Sequence, residues 1–170
     1  MRAEERRTEI RKVLSAAKQP VSASALASRF SVSRQIIVGD IALLRASGAD
    51  ISATPRGYIF SRVPSGLIRQ VACRHDVSAM RQELYAMVDE DCTVIDVIVE
   101  HPIYGQLTGV LQISSRYEVD LFMERCAQSD AQPLSALTEG IHVHTLSCPS
   151  EDALLRVHQS LKKLHILLPK

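Results

Sequence analysis

Apolar residues recur at helical spacing through the first third of the chain, then mostly at strand spacing. Ile10, Val13, Leu14 and Ala17 form one stripe with charged residues opposite, which predicts a helix over residues 3–17. Lys18-Gln19-Pro20 ends it. Ser22 or Ser24 can cap a second helix reaching Phe30, with Leu26, Ala27 and Phe30 inward. Ser31-Val32-Ser33 is a tight connection in which Val32 fills the corner and Ser33 caps a third helix, from about Arg34 to Ala46. Ile37, Ile41 and Leu44 are its core stripe, Ile36 and Leu43 flank it, and Gly48 closes it. The period then switches to two: Ile51 and Ala53 alternate, Pro55-Arg56-Gly57 turns, and Tyr58 and Phe60 alternate on the return.

Ser61-Arg62-Val63-Pro64-Ser65-Gly66 reads as a polar boundary, dividing residues 1–62 from residues 67–170. Beyond it, Leu67–Cys73 reads as a strand, and Asp76 caps a helix over about Val77–Asp89 with Met80, Leu84 and Met87 inward. The β-branched run Thr93–Glu100 is the strongest strand signal, and His101-Pro102-Ile103-Tyr104-Gly105 turns out of it. Ser114-Ser115 cap a helix to about Ala127, with Val119, Phe122 and Met123 inside. Pro133–Leu137 and Ile141–Cys148 read as two strands joined through Glu139-Gly140. Ser150 caps a last helix with Leu154, Leu155, Val157 and Leu161 inward, and Ile166–Leu168 reads as a closing strand. The expected architecture is α+β in two domains: a winged helix-turn-helix, then an α+β sandwich with helices on one face of a mostly antiparallel sheet.

Charge sharpens the division. Residues 1–66 hold 11 Lys/Arg against 5 Asp/Glu, a net of +6, and residues 67–170 hold 9 against 14, a net of −5, which reproduces the overall +1. A basic first domain with a helix-turn-helix pattern implies double-stranded DNA as partner. Ser33, Arg34 and Gln35 open the third helix, where such a helix meets base edges; Arg suits guanine and Gln suits adenine through bidentate pairs. Arg56 at the hairpin tip is placed to meet a phosphate or a minor groove. Gly39 inside that helix costs about 1 kcal/mol relative to Ala, and allows close packing or a close approach to DNA.

No apolar run approaches the ~18 residues of a membrane span, and the charged start, Met1-Arg2-Ala3-Glu4-Glu5-Arg6-Arg7, is unlike a secretory signal. Cys73, Cys92, Cys126 and Cys148 lack any C-x-x-C pair, which argues for reduced thiols, a cytoplasmic address and no thiolate zinc site.

In Gly140-Ile141-His142-Val143-His144-Thr145-Leu146 the two histidines alternate with apolar residues, so both project from one side of a strand, roughly 7 Å apart. His75 ends a strand and Glu83 lies on the following helix. His75, Glu83, His142 and His144 form a nitrogen–oxygen set suited to zinc, nickel, copper or iron rather than magnesium or calcium. His101, held extended by Pro102, is a candidate ligand contact.

These motifs carry a resemblance. Val32-Ser33-Arg34-Gln35-Ile36-Ile37-Val38, Asp40-Ile41-Ala42-Leu43-Leu44-Arg45 and Pro55-Arg56-Gly57-Tyr58 resemble the first domain of the niacin-responsive transcriptional repressors of the NiaR type. Glu100-His101-Pro102-Ile103-Tyr104-Gly105, Ile113-Ser114-Ser115-Arg116-Tyr117, Pro133-Leu134-Ser135 and Gly140–Thr145 resemble that family's three-histidine (3H) domain. Gly39 departs from the longer polar residue expected there, which touches operator preference and not DNA binding as such. The resemblance implies a homodimeric repressor of NAD biosynthesis or niacin transport genes, with nicotinic acid as co-repressor. It implies a metal on His75, Glu83, His142 and His144, with nickel foremost and zinc or iron as alternatives. Tyr104 and Arg116 would join His101 in polar contacts to the effector. A metal-sensing regulator is the second reading, and a metal-dependent hydrolase the third. Four protein donors leave fewer open positions than catalytic zinc sites usually keep, which argues against an enzyme.

Overall fold

The computed structural model describes residues 1–61 and 66–169; Arg62–Ser65, the middle of the expected linker, lie outside the described residues. The chain separates into two compact units, residues 1–63 and residues 64–170.

In the first unit three helices, α1 (Ala3–Ala16), α2 (Ala23–Phe30) and α3 (Arg34–Ala46), precede a hairpin of β1 (Ile51–Thr54) and β2 (Gly57–Phe60). Ser22 is the residue that caps α2, accepting from the Ala25 N–H, and Ser33 caps α3 by accepting from the Ile36 N–H. Ser31 takes the left-handed conformation that turns α2 into the connection. Ile10, Leu14, Leu26, Ile37, Ile41, Leu44 and Ile51 form the core. Each stabilises the unit by roughly 1.5–3 kcal/mol through removal of its side chain from water. Asp40, buried on α3, accepts from Arg6 Nε of α1 at 2.6 Å, with Arg7 Nη1 at 3.5 Å, so an ion pair fixes α3 against α1. The hairpin gains a third chain: Val21 and Tyr58 exchange backbone hydrogen bonds of 2.8 and 2.9 Å. Gly57 is required there, because a Cβ would lie 2.3 Å from the Val21 carbonyl oxygen.

The second unit holds β3 (Leu67–Arg74), α4 (Met80–Val88), β4 (Thr93–His101), β5 (Gly105–Ile113), α5 (Arg116–Ala127), β6 (Ile141–Cys148) and α6 (Glu151–Lys163). The sheet order is β3-β6-β4-β5 and every pairing is antiparallel. Val71, Val94, Leu111, Ile113 and Leu146 share one face and join Leu84, Met87, Val119, Val157 and Leu161 of the helices in one core. All three helices therefore cover the same side of the sheet. Three details differ from expectation. Gly105–Ile113 is a full strand: Leu107, Leu111 and Ile113 keep period two, but Gly105 and Gly109 dilute the pattern. Pro133–Leu137 is no strand; Leu134–Thr138 makes a 3-10 turn, and Leu134 fills the space above Gly109 and Val97. Leu155 is 55% exposed, and Ala153 takes the inward place on α6. Ile166–Leu168 contributes one bridge, Leu167 to Cys73, with Leu168 N–H donating to Ala72 O. Among the described residues no helix is long and apolar enough to cross a membrane.

Candidate metal centre and DNA-reading helix

His142 and His144 point inward from β6, beneath α4. Their register partners on β3 are Cys73 and Val71, both core residues, and His144 also faces Val97 on β4. Above them lies Glu83, 1% exposed, on the helix face that also buries Met80, Leu84 and Met87. His75 reaches the same carboxylate from the loop after β3. Asp76 accepts from the Ser78 N–H and starts a short 3-10 turn, Val77–Ala79, that carries the chain up to α4.

Three imidazoles thus converge on one carboxylate. His75 Nε2 lies 2.7 Å from Glu83 Oε2, His142 Nε2 2.9 Å from Oε1, and His144 Nε2 3.4 Å from Oε2. The rings of His75 and His142, and of His142 and His144, meet edge to face at 4.9 and 4.8 Å. The far nitrogens are all committed. His75 Nδ1 donates to Asp76 O at 2.5 Å, His142 Nδ1 to Gly140 O at 2.9 Å, and His144 Nδ1 to Asp96 O at 2.7 Å. A carbonyl only accepts, so each Nδ1 carries a proton and each neutral ring turns its Nε2 lone pair toward Glu83. Lone pairs facing a carboxylate repel unless a cation stands between them. Protons on His75 and His144 fill that role in the metal-free protein; a metal ion does it with one charge centre. Backbone carbonyls on Nδ1 are also the usual means of orienting metal-binding imidazoles, so these residues fit a divalent transition metal.

The electrostatics agree. Burial pushes the Glu83 carboxyl up, but the His144 charge and the hydrogen bonds of the three imidazoles overcome it and hold it well below the usual carboxylate range. Burial opposes charge on His75 and His144, yet the Glu83 carboxylate outweighs it and raises both. Gly140 makes the closure possible. Its φ is +87°, and a Cβ there would lie 2.2 Å from the His75 carbonyl oxygen.

Cys73 was missed. Its Sγ, a Glu83 oxygen and a His142 nitrogen lie within 4.8 Å of one another, all three residues buried. Burial first, and then the charge of Glu83, push the thiol up, so it stays protonated beside the carboxylate. A C-x-x-C criterion cannot find a lone thiol brought in by strand register; the signal available was its position on β3 two residues before His75.

The other expected positions divide. His101 ends β4 on the face shared by Val97, which pairs with His144; its Nδ1 accepts the N–H groups of Ile103 and Tyr104 at 3.2 and 3.3 Å. Tyr104 is 73% exposed and stacks on His101 with ring centroids 5.0 Å apart. Arg116 is not brought to them. It follows Ile113, which pairs with Val94 at the opposite end of β4, and both its Nε and Nη2 donate to Asp89 at 2.6 Å.

In the first unit Ser33, Arg34 and Gln35 are exposed at the N-terminus of α3. Arg56 does not project freely from the hairpin tip: its Nη1 donates to Gln19 Oε1 at 3.0 Å, which draws it toward the α1–α2 connection. A Cβ on Gly39 would meet nothing within 4 Å, so internal packing does not account for this glycine.

Comparison with known proteins matches both units. Residues 6–59 match an HTH domain and residues 68–170 match the 3H domain. The chain is 41% identical over 165 residues to the probable transcription repressor NiaR of Thermotoga maritima, covering 97% of this chain and 94% of that one. It is 38% identical over 167 residues to the transcription repressor NadR of Bacillus subtilis, covering 96% and 93%. The chain belongs to the family of HTH-plus-3H transcription repressors that includes these two proteins, a family of DNA-binding regulators and not of enzymes.

Proposed function

We propose that this protein represses genes of NAD biosynthesis or niacin transport, with nicotinic acid as co-repressor and a transition metal in its second unit. Residues 1–62 bind operator DNA, Arg34 and Gln35 reading base edges from the exposed end of α3 while Ser33 caps it. Residues 67–170 hold metal and effector, and two chains act together on a palindromic site.

The observation that carries the metal is the convergence of three Nδ1-anchored imidazoles on buried Glu83. His75, Glu83, His142 and His144 would hold the ion, nickel foremost, with Cys73 beside them. When bound it supplies a fixed positive charge and an acceptor site for a carboxylate or pyridine nitrogen, both of which nicotinate carries. His101, beyond His142 on the inner face of the sheet, and Tyr104, stacked on it from the β4–β5 turn, would supply polar contacts to the rest of the effector. The effector must bind the DNA-competent arrangement more tightly than the other, or operator affinity does not change.

The test is binding to operator DNA from the protein's own promoter region, by fluorescence anisotropy with metal-loaded protein, with and without nicotinic acid. Tighter binding with nicotinate that disappears in His144→Ala supports the reading. A response to chelation alone makes the metal the effector. No DNA binding under any condition overturns the repressor reading.

A further inference from the structure

The first half of the strand that carries the histidines is inside out. In an antiparallel sheet covered on one side, apolar residues face the core and polar ones face water. On β6 the core side holds His142 and His144, while Ile141 and Val143 face away from the helices. Strand β4 sets Val94, Val97 and Val99 inward, and its outward side carries Ile98 between Asp96 and Glu100.

Register gathers the outward residues. Ala72 faces Val143, Val143 faces Ile98, and Ile98 faces Thr108, making one row across all four strands. Ile141, 42% exposed, stands in the row on one side and Val110 in the row on the other, and Ile68, 38% exposed, lies one row further along β3. None of these residues belongs to the helix-covered core. A shallow groove of about 150 Å³ runs between Gln70, Ile98, Glu100, Gln106, Ile141 and Val143.

We propose that this outer sheet face, centred on Val143 and Ile98, is where a second copy of the chain docks. The inference rests on the homodimer reading above and gives it a surface. Three arguments select a second copy as occupant. The first is area. Four strands about 4.8 Å apart and about 27 Å long present roughly 500 Å² for each copy, or roughly 1,000 Å² for two copies, which meets the lower bound of about 1,000 Å² for a specific interface. The second is charge. The central row is uncharged, and Asp96 in the next row is engaged with the Thr145 N–H at 3.1 Å. The third is symmetry. Arg74 lies at the β3 edge, in line with Ile141, and Glu100 pairs with Gln106 at the same end of the sheet. A twofold axis along the strands lays each Arg74 over the other copy's Glu100–Gln106 pair. Face-to-face packing would also put the dimer contact and the histidines on opposite sides of one strand. A shift of β6 at the histidines would then be felt directly between the two copies.

The experiment is sedimentation equilibrium of the full chain without DNA, on wild type, Val143→Arg and Leu155→Arg. Leu155 is an exposed apolar residue of α6 and serves as control. The expected result is a wild-type dimer, a dissociation constant raised roughly 100-fold or more in Val143→Arg, and no change in Leu155→Arg. Circular dichroism checks that each variant folds. Should Val143→Arg unfold, Thr108→Arg, at an exposed position in the same row, takes its place with the same expectation. A monomeric wild type, an undisturbed dimer in the folded arginine variant, or a dimer broken by Leu155→Arg overturns the proposal. None of these outcomes depends on DNA or effector binding, so failure here is distinct from failure of the repressor reading.

Discussion

Raising the pH from about 5.5 to about 8.5 should tighten metal binding and weaken the metal-free fold, and both effects come from the same protons. His75 and His144 are raised above their ordinary value of 6.5 because Glu83 faces them. Their contribution to metal-free stability is complete below pH 6.5 and is lost as pH rises through their folded values. Glu83 works in the opposite direction. Held well below its ordinary 4.5, it contributes stability above that value, which is lost as pH falls through its folded value. The metal-free protein is therefore best served by this site between about pH 4.5 and 6.5. A metal needs the Nε2 lone pairs, so binding must expel the protons of His75 and His144. Two protons make affinity rise about 100-fold per pH unit below the folded values, or about 2.7 kcal/mol per unit. Calorimetric titration with zinc, repeated in buffers of different ionisation enthalpy, counts those protons. A third proton, released even above the imidazole range and lost in Cys73→Ser, would mark Cys73 as a thiolate donor. An affinity that stays flat across this range would refute the proton-filled picture of the metal-free site.

Other expectations follow from single positions. Gly140→Ala forces a Cβ against the His75 carbonyl and strains a φ of +87°. It should lower zinc affinity at least tenfold in the same titration while leaving the first unit's DNA contacts in place. Arg34→Ala and Gln35→Ala should each weaken operator binding by about 1–3 kcal/mol and relax base preference at one position, as read by binding to operator variants. Gly39→Ala, with open space around its Cβ, should raise stability to urea by about 1 kcal/mol. A fall in operator affinity in the same variant would show that α3 needs the bare backbone there. Asp40→Ala strands Arg6 and should cost about 3 kcal/mol in chemical denaturation of the first unit.

The first unit could be read almost completely from the chain. Its stripe positions, its caps at Ser22 and Ser33 and its hairpin are local features, decided by side chains within four residues of one another. The second unit yielded less where the deciding contact lies far along the chain. Gly105–Ile113 is a strand because β4 supplies its partner, and Leu134–Thr138 turns because Leu134 has a hollow over Gly109 to fill. Neither neighbour is visible in a short window of sequence. The same holds for Arg56, which a hairpin alone would leave in solvent and which Gln19 captures from 37 residues away.

For the site, the donor residue types and their alternation were in the sequence. That His142 and His144 share a side follows from the strand period alone. That this side is the buried one does not, because an alternation of histidine with isoleucine and valine suggests the aliphatic side as core. Tertiary structure reversed that choice: α4 brings Glu83 down over the histidines, and one buried carboxylate compensates three imidazoles that no apolar lid could have satisfied. It also drew Cys73 into the cluster, separated Arg116 from His101, and left Ile141 and Val143 facing outward. Sequence determines which groups can bind a cation; only the packing of a helix across a sheet decides which of them are held within reach of one another.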